Sequence, residues 1–562
     1  MPYMPPLRDF AFICDHVVGF ERVQKTECFS EATPDTVQAI LSEGGRLCAE
    51  VIAPLRRPGD VTRSCLENGA VVSPPGYAEG FHALAEGGWI GISAAPEFGG
   101  MGMPQTVSTA FYEMMAAACL SLQMNPLLTQ GQIEALEHHA SDALKALSLP
   151  KLISGEWSGT MNLTEPQAGT DVGALRSKAE PQADGSYRVT GQKIYISWGD
   201  CDFTQNVCHL VLARLPDAAP GSKGISLFLV PKIIPNADGS LGQPNSLRVV
   251  SLEHKLGIHG SPTCVMEYEG AVGWLVGAPH KGLAAMFTMM NNARVGVGVQ
   301  GIGVAEGAYQ HALAYARDRK QGPTPKGATA IIDHPDIRRQ LAIMRAEIFA
   351  ARAIAMANCV AIDMATATGG ADWAARAGWL TPITKVYGTE TGITVSDMGI
   401  QIHGGMGFVE ETGAAQFLRD VRVTSIYEGT NAIQALDLVG RKLSDGGAAA
   451  FAVLDEMAKV ARASGMGAPV AEAVQALRAA TEWMLGQGME ARAAGATAYL
   501  RAFARVLGAD MHLRAAASGE GARVALARVY LDHLLPEYAA HLAAMRADPA
   551  AYMDLTPEDM TA

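Results

Sequence analysis

Apolar residues recur every three or four positions over two long stretches of the chain, one near its beginning and one over its second half. This spacing places them on one face of an α-helix. The clearest series is Ile337, Leu341, Met344, Ile348, Ala351 and Ala355. We expect Asp333 to cap the start of that helix, and Thr33 or Pro34 to begin an earlier one with Val37 and Leu41 on its buried face.

The period changes to two between these helical stretches. Short β-branched or alternating runs cover residues 187–190, 193–197, 207–212, 225–230, 247–252 and 264–268. Turn-forming pairs such as Asp184-Gly185 and Asp238-Gly239 separate them. The pattern predicts a small antiparallel sheet or barrel inserted between two helical parts.

The chain exceeds the usual size of a single hydrophobic core, so several packed domains are expected. The changes of period predict an N-terminal extension (1–35), a helical domain (36–158), a β domain (159–280), a helical bundle (281–445) and an additional helical domain (446–562). Gly446-Gly447 and the stretch from Gly465 to Gly467 are candidate joints in the last part. The predicted fold class is therefore α+β, mainly α.

Charge and cysteine content exclude several kinds of protein. The 562 residues carry a formal net charge of −13 at pH 7, which argues against a nucleic-acid surface. The nine cysteines are scattered without C-x-x-C pairs or metal-like spacing, so we expect reduced thiols and no metal site. Charged Arg8, Asp9 and Asp15 interrupt the N-terminal apolar run, and no segment of the sequence has 18 consecutive apolar residues. We therefore expect no signal peptide, no membrane span and a cytoplasmic location.

A single acid, Glu428, stands between an apolar approach and the start of a helix in the segment 421–434, VRVTSIYEGTNAIQ. Thr430 or Asn431 can cap that helix, because apolar residues follow at helical spacing from Ile433 onward. A helix N-terminus also favours a nearby anion such as a pyrophosphate. Two interpretations remain open from the residues alone: a positioned base, or a glutamate that turns outward at a helix cap.

Tyr427-Glu428-Gly429-Thr430 resembles the catalytic segment of the flavin-dependent acyl-CoA dehydrogenase family. In that family the glutamate is the base that takes the α-proton of an acyl thioester. The resemblance implies that Thr430 contacts FAD and that Tyr427 and Gly429 adjoin the substrate. It also implies the acyl-CoA dehydrogenase fold, with an N-terminal helical domain, a middle β domain and a C-terminal four-helix bundle, here followed by an extra helical domain.

Residues 161–172, MNLTEPQAGTDV, resemble the T-E-P-x-A-G-S-D signature of the same family. The resemblance implies that Met161, Leu163 and Thr164 contact the flavin and that Thr170 contacts the substrate. The alternative from the residues alone is a Pro/Gly turn leading into a sheet.

Residues 192–197, QKIYIS, resemble the family's G-x-K-x-[WY]-I-[TS] strand. By that resemblance Tyr195 packs on the isoalloxazine ring and the Ser197 hydroxyl reaches flavin N5. Strand alternation places both side chains on one face. An aromatic residue of this kind is otherwise an ordinary member of a sheet.

Two arginines and one glycine-rich loop resemble the family's remaining contacts. Arg294 stands where the family has an arginine near CoA or the active-site loop, and Arg319 where it has an arginine on the FAD pyrophosphate of a neighbouring subunit. Gln401, Gly404 and Gly405 match the loop along the adenosine half of FAD. A solvated, charged helix end is the alternative for Arg319.

The segment 296–301, GVGVQG, matches the G-x-G-x-x-G fingerprint of dinucleotide-binding folds. The residues before it are rich in methionine and alanine and helical in character, whereas the fingerprint needs a preceding strand. We therefore predict no Rossmann fold here. Small residues at these positions favour a close approach of helices or of a cofactor.

The resemblance implies FAD-dependent α,β-dehydrogenation of an acyl-CoA, with an electron-transfer flavoprotein as acceptor and a homo-oligomer, a dimer or a dimer of dimers. The opening residues 3–12 and the long helical tail resemble the bacterial branch that contains 3-methylthiopropanoyl-CoA dehydrogenases of dimethylsulfoniopropionate breakdown. 3-(Methylthio)propanoyl-CoA is therefore the favoured substrate, and a straight-chain fatty acyl-CoA is the alternative. An acyl-CoA oxidase, a non-catalytic flavoprotein scaffold and a DNA-associated flavoprotein on the same fold are the competing classes, and the acidic balance disfavours the last.

Overall fold

The computed structural model describes residues 3–327 and 329–561, which form two compact units. The sheet unit comprises Glu31–Gly296 together with the described residues before Pro6. The bundle unit comprises Pro6–Ser30 and the chain described from Val297 onward. Helices α1 (Leu7–His16) and α2 (Glu21–Gln24) open the chain and belong to the bundle unit.

Helices and one hairpin make up the first part of the sheet unit. They are α3 (Pro34–Leu47), α4 (Arg56–Val61), β1 (Cys65–Glu67), β2 (Ala70–Val72), α5 (Tyr77–Glu86), α6 (Gln105–His139) and α7 (Asp142–Ile153). Thr33 caps α3, where its hydroxyl accepts a hydrogen bond from the Thr36 N–H at 3.2 Å, and Pro34 is the first helical residue, as predicted. The β1–β2 hairpin was not predicted, because its three-residue strands are too short to show a period.

The seven-stranded sheet forms the second part of this unit. Its strands are β3 (Trp157–Asn162), β4 (Lys178–Pro181), β5 (Tyr187–Ser197), β6 (Asn206–Arg214), β7 (Ile225–Pro231), β10 (Leu247–Leu252) and β11 (Thr263–Val276), while β8 (Ile233–Pro235) and β9 (Leu241–Pro244) pair separately. The runs predicted at 187–190 and 193–197 are one strand, β5, interrupted by a bulge. The predicted strand at 247–252 has the observed bounds of β10.

Strand pairing closes part of this sheet. The order is β10-β11-β5-β4-β6-β3, and β7 pairs with both β11 and β6. The sequence predicted a small antiparallel sheet or barrel, and most strand pairs are antiparallel. The prediction is wrong for β3, which runs parallel to β6 along its whole length, and for β4, which meets β6 in parallel at one residue pair. Periodicity identifies a strand but carries no information about its direction. The connection after β3 is long enough for either a parallel or an antiparallel partner.

Three long helices and two short ones follow: α8 (Gly282–Asp318), α9 (Pro335–Thr368), α10 (Ala371–His403), α11 (Ala414–Val421) and α12 (Asn431–Asp437). The residues of α8 up to Gly296 belong to the sheet unit, and the rest of α8 and the other four helices belong to the bundle unit. The G-x-G-x-x-G segment lies inside α8, which confirms that it is not a dinucleotide-binding turn. A Cβ on Gly298 would lie 2.6 Å from the Thr384 carbonyl oxygen, and one on Gly301 would lie 2.3 Å from that of Gly388. The glycines therefore let α8 and α10 approach closely.

The predicted cap of α9 is wrong. Asp333 ends a 3₁₀ turn, the N-cap residue is His334 and Pro335 is the first helical residue. The Asp333 carboxylate instead pairs with Lys326 and Arg338, each at 3.1 Å. A proline at the first position starts the helix by its fixed φ, so no side-chain cap is needed.

Helix α9 is long and apolar enough, by length and composition alone, to cross a membrane, with a mean hydropathy of 1.5 over 18 residues. Of that window, 83% is buried inside the protein. A buried core helix meets the same criterion. The predicted face is half-buried at its first residue, Ile337, and buried at the others, Leu341, Met344, Ile348, Ala351 and Ala355.

The last helices of the bundle unit are α13 (Ala448–Ala463), α14 (Ala468–Gly486), α15 (Met489–Ala516), α16 (Gly521–His533), α17 (Glu537–Met545) and α18 (Ala550–Met553). We call this set the C-terminal helices. The predicted joints lie between helices, because Gly447 precedes α13 and Gly467 precedes α14. Helix α15 is the central member and packs on α9, α16 and α17, which explains why its residues Leu500 and Phe503 are fully buried.

Candidate active site

Glu428 lies in the loop between a 3₁₀ turn, Arg422–Ser425, and helix α12 of the bundle unit. Its φ is +56°, and the φ of the following Gly429 is +79°. A left-handed conformation is easy for glycine but costs a side-chain-bearing residue about 1 kcal/mol or more. The carboxylate is therefore carried on a strained residue, and the surroundings must hold that residue in place.

Two fully buried side chains hold this loop. The Gln434 amide Nε2 donates to the Glu428 carbonyl oxygen at 2.9 Å, and the Lys385 ammonium donates to the Gly429 carbonyl oxygen at 3.0 Å. Buried polar groups are stable only when they are paired, so these bonds determine where each carbonyl lies. The half-buried Glu428 is thus oriented through its backbone.

Thr430 caps α12, since its hydroxyl oxygen accepts a hydrogen bond from the Ile433 N–H at 3.3 Å. The sequence left Thr430 and Asn431 open as caps. Asn431 is the first helical residue, and its Oδ1 accepts a hydrogen bond from Lys385 at 2.9 Å. The start of α12 is therefore fixed from both sides, directly after Glu428.

Tyr427 is oriented by α8, because its hydroxyl donates to the side-chain oxygen of the fully buried Gln300. Burial and the charge of Glu428 both raise the pKa of Tyr427. The phenol therefore stays neutral at physiological pH. It remains a hydrogen-bond donor beside the carboxylate.

In the sheet unit, a buried ion pair supports the turn that follows β3. The Lys193 ammonium, fully buried, donates to the Leu163 carbonyl oxygen at 3.1 Å and to Glu165 at 2.8 Å. Burial lowers the pKa of Lys193 to about 8, against the effect of Glu165. The Ile194 N–H also donates to the Thr164 carbonyl oxygen at 2.9 Å. These bonds attach the 161–172 motif to β5. The two segments that resemble flavin-binding motifs are therefore held side by side.

The side chains predicted to meet the flavin and substrate from this unit have open polar groups. Tyr195 has a φ of +59°, lies in the bulge of β5, and leaves 62% of its surface exposed, whereas the next residue, Ile196, is buried. Ser197 and Thr164 are half-buried and Thr170 is exposed. Among the residues that the structure describes, none of the four hydroxyls of Tyr195, Ser197, Thr164 and Thr170 has a hydrogen-bond partner within the chain, so each can meet a ligand.

Met161 and Arg294 occupy less open positions in the sheet unit. Met161 is a half-buried residue of β3 that pairs with Leu210. Arg294 is buried within α8, its Nη1 lies 3.4 Å from the Asn291 side-chain oxygen, and its guanidinium lies 5.9 Å from the centre of the Phe287 ring. A buried arginine fits an ordered role better than a solvated surface position.

The predicted adenosine and pyrophosphate contacts lie at helix ends of the bundle unit. Arg319 follows the last residue of α8, Gln401 is in the last turn of α10, and both are exposed. Gly404 has a φ of +59°, but Gly405 has no positive φ, and a Cβ on either would meet nothing within 4 Å. Among the residues that the structure describes, none requires glycine at 405, so its small size favours approach by an outside group.

Each unit by itself offers groups that fit part of a flavin nucleotide. The sheet unit has an exposed aromatic face and free hydroxyls, which match a ring system and its polar edge. The bundle unit has a glycine-rich loop and an exposed arginine, which match phosphates. Within residues 3–327 and 329–561, no group of three or more His, Cys, Asp or Glu side chains could hold a metal ion.

Sequence reasoning missed the residues that hold the catalytic segment. Gln300 lies inside the G-x-G-x-x-G segment, whose pattern consists of glycines and gives no sign of a role for a glutamine. Lys385 is a cation in the run Ile383 to Val386, and its position among small and apolar residues is a signal that could have marked it. Gln434 follows the motif by only four residues, but its target is a backbone atom, which no motif shows.

Family profiles match nearly the whole chain. Those described as Acyl-CoA dehydrogenase, N-terminal domain, middle domain and C-terminal domain match residues 37–156, 160–271 and 280–443, respectively. A fourth, described as Acetyl-CoA dehydrogenase C-terminal like, matches residues 451–556. The chain is 50% identical over 455 residues to 3-methylmercaptopropionyl-CoA dehydrogenase of Ruegeria pomeroyi, which covers 80% of this chain and 77% of that protein. The chain belongs to the acyl-CoA dehydrogenase family.

Other family members extend this picture. The chain is 34% identical over 467 residues to butyryl-CoA dehydrogenase of Syntrophomonas wolfei, covering 79% of this chain and 76% of that one. The solved acyl-CoA dehydrogenase from Bacillus anthracis, complexed with FAD, shares the fold with a TM-score of 0.74 and 20% identity, over 97% of this chain and 93% of that one. The mainly helical acyl-CoA dehydrogenase fold with an extra C-terminal domain is confirmed.

Family membership makes the chain a flavoprotein oxidoreductase whose reaction is acyl-CoA dehydrogenation. The individual site residues and the domain limits stay predictions.

Proposed function

We propose that this protein is an FAD-dependent dehydrogenase that converts 3-(methylthio)propanoyl-CoA to its 2,3-enoyl product with Glu428 as the base. The observation that carries the proposal is the strained, positive φ of Glu428, held by the buried Gln434 and Lys385. Backbone strain of this kind accumulates where a side chain must be aimed. The outward-turning cap is disfavoured, because Thr430 already caps the helix.

The α-hydrogen of a thioester is a weak acid, so its removal needs a positioned base and a stabilised carbonyl oxygen. The Glu428 carboxylate takes the α-proton, a role typically worth about 10² to 10⁴ in rate. We assign the Glu428 backbone N–H to the thioester oxygen, where it stabilises the developing negative charge. Bound FAD supplies the acceptor for the β-hydrogen and its electron pair. Tyr427 stays neutral and adjoins the base.

We assign FAD binding to the sequence-predicted residues. In the sheet unit they are Met161, Leu163, Thr164, Tyr195 and Ser197, and in the bundle unit Arg319, Gln401, Gly404, Gly405 and Thr430. The exposed Tyr195 ring and the unpaired hydroxyls support this assignment. We assign Thr170, Arg294, Tyr427 and Gly429 to the acyl-CoA.

The relative from Ruegeria pomeroyi supports the methylthio substrate, whereas the butyryl-CoA dehydrogenase supports a straight-chain alternative. The two are separated by mixing the yellow protein, without air, with 3-(methylthio)propanoyl-CoA, butanoyl-CoA, octanoyl-CoA and palmitoyl-CoA. We expect the flavin absorbance to bleach fastest with the methylthio compound. Faster bleaching by a straight chain would make the protein a fatty acyl-CoA dehydrogenase.

Glu428→Gln is expected to retain the yellow flavin and to lose at least about 100-fold in the rate of flavin reduction, since a general base is removed without a change in size. Glu472→Gln, an exposed glutamate of α14, is the matched control and keeps the wild-type rate. Stopped-flow bleaching measures both. A Glu428→Gln variant that reduces at the wild-type rate would refute the assignment of the base.

We further propose an electron-transfer flavoprotein as electron acceptor, a cytoplasmic location and a homo-oligomer. The oxidase alternative predicts fast reoxidation of the bleached flavin by air, whereas a dehydrogenase reoxidises slowly without its acceptor. A scaffold without activity would show no bleaching with any acyl-CoA. Sedimentation of the yellow protein measures the number of subunits.

A further inference from the structure

Lys385 joins the catalytic segment to the interior of α10. It is fully buried, and its ammonium lies 3.0 Å from the Gly429 carbonyl oxygen and 2.9 Å from Asn431 Oδ1. Removal of a buried lysine from water is costly unless its charge is well paired. Two acceptors on both sides of Thr430 receive this charge, so the lysine bridges the loop and the start of α12.

Asn431 connects Lys385 to further residues of α10. Its Nδ2 donates to the Thr389 hydroxyl at 3.2 Å and lies 3.5 Å from Glu390 Oε1. The single hydroxyl proton of Thr389 has a shorter bond to the Val386 carbonyl oxygen, at 3.0 Å, so Asn431 Oδ1 is held by Lys385. The amide is therefore held by α10 at both ends, and the longest of these contacts leads to a carboxylate.

Glu390 is held by Arg501 of α15, one of the C-terminal helices. Arg501 Nη2 lies 2.8 Å from Oε1, and its Nε lies 3.0 Å from Oε2 and 3.2 Å from Oε1. Such a two-pronged arginine pair fixes the orientation of a carboxylate as well as its charge. The contact reaches 111 residues along the chain.

We propose that Arg501, Glu390, Asn431 and Lys385 form a positioning chain, through which the C-terminal helices set the geometry of the catalytic loop. The inference rests on the proposed function, because it takes Glu428 as the base. The four are positioning residues, since they act on Glu428 through the Gly429 carbonyl oxygen and the start of α12. The proposal gives the C-terminal helices a role in positioning the catalytic loop. The chemistry of acyl-CoA dehydrogenation does not by itself require these helices.

A cavity of about 160 Å³ lies beside the outer end of the positioning chain. Glu390, Thr391, Arg501, Arg505 and His541 are among the residues that line it. Removal of the Arg501 side chain would enlarge this cavity beside the Glu390 carboxylate. A guanidinium ion is small enough to enter and to replace the lost donors.

A purely structural ion pair predicts a different outcome. The Arg501 side chain is 45% exposed, and ion pairs at exposed sites contribute little to stability. Loss of such a pair would change neither the turnover number nor the motion of a loop beyond Asn431. The positioning chain predicts that both change while the fold is retained.

The first experiment compares Arg501→Ala with Arg478→Ala in the yellow protein. Arg478 of α14 pairs with Asp455 of α13. The Arg478→Ala variant therefore removes an ion pair from the same C-terminal helices without changing the positioning chain. Arg501→Ala is expected to lower kcat by about tenfold, because small misplacements of a reacting group are costly, and to leave KM within about twofold. Millimolar guanidinium chloride is expected to restore most of kcat in Arg501→Ala only, and ammonium chloride is the salt control.

The second experiment measures amide hydrogen exchange of residues 426–434 in the same variants and in Lys385→Met. Faster exchange of this segment is expected in Arg501→Ala and Lys385→Met but not in Arg478→Ala, with kcat of Lys385→Met lowered by about 100-fold. Unchanged exchange, or an unchanged kcat in Arg501→Ala, would overturn the positioning chain. If the wild-type protein reduced no acyl-CoA, the proposed function would fail, and the exchange measurement alone would decide whether these residues hold the loop.

Discussion

Asp9→Asn is expected to loosen the N-terminal helix α1 from the rest of the bundle unit. Asp9 is buried, and its carboxylate meets three guanidinium groups: Arg352 and Arg523, each at 2.8 Å, and Arg345. Glu306 shares two of these partners, bonding Arg352 at 2.7 Å and Arg345 at 3.2 Å. Arg523 also lies 3.8 Å from the Glu520 carboxylate, so three cations face three anions. The asparagine variant would leave them facing only two.

The pKa of Asp9 sets the size of this effect. Burial raises that pKa, but the three guanidinium groups together lower it by more. The net result is a fall from 3.8 to about 2. Each pKa unit corresponds to about 1.4 kcal/mol, so the ionised carboxylate contributes about 2 kcal/mol to stability. The unpaired charge of the fully buried Arg352 adds to the loss, and breaking a buried pair typically costs about 3–5 kcal/mol. We expect a loss of about 3 kcal/mol near neutral pH.

The sign of the pH dependence follows from the lowered pKa. The folded protein holds Asp9 ionised more firmly than the unfolded chain does, so the contribution is complete above pH 3.8. It is lost as the pH falls towards about 2. The difference between wild type and Asp9→Asn should therefore be constant from pH 7 to about 5 and shrink in stronger acid.

Urea unfolding, followed by tryptophan fluorescence, measures this prediction. Asp15→Asn is the control, because Asp15 is an exposed residue of the same helix. The midpoint should fall for Asp9→Asn and stay near the wild-type value for Asp15→Asn. Equal midpoints for the two variants, or a difference that grows in acid, would refute the reasoning.

Two further substitutions test other contacts. Lys193→Met leaves the buried Glu165 carboxylate without a cation and frees the Leu163 carbonyl oxygen, so we expect a loss of about 3 kcal/mol in thermal unfolding and a lower flavin content of the purified protein. Retention of both would contradict the role of the ion pair. Gly388→Ala places a Cβ 2.3 Å from the Gly298 carbonyl oxygen, so it should cost about 1–3 kcal/mol by forcing α8 from α10, and an unchanged melting temperature would disprove that close contact.

Local pattern alone predicted much of the secondary structure. The face of α9 and the strand at 247–252 are read from neighbours a turn or two apart. The caps at Thr33 and Thr430 bond an N–H only three residues away, so the sequence narrowed each helix start to two neighbouring residues and the structure decided between them. Glu428 and its motif were found by resemblance, and the structure adds the strained φ that gives the acid its orientation.

The cap at Asp333 failed because a neighbouring proline offers a competing helix start. The direction of β3 beside β6 could not be read, since alternation is the same for both directions. The Asp9 cluster was hidden for another reason: its partners lie 343 and 514 residues away, and charge alone does not reveal which arginine meets which acid.

The sequence by itself determined which segments are helix or strand, where several helices begin, and that Glu428 stands in the segment that resembles the family's catalytic motif. Those features depend on side chains within one or two turns of each other, so a linear pattern contains them. Only the tertiary structure decided that Lys385, Gln434 and Gln300 hold that motif, and that Arg501 of the C-terminal helices reaches it through Glu390. Partner choice of this kind depends on packing between distant segments, where burial makes each polar group accept the neighbour that the fold provides.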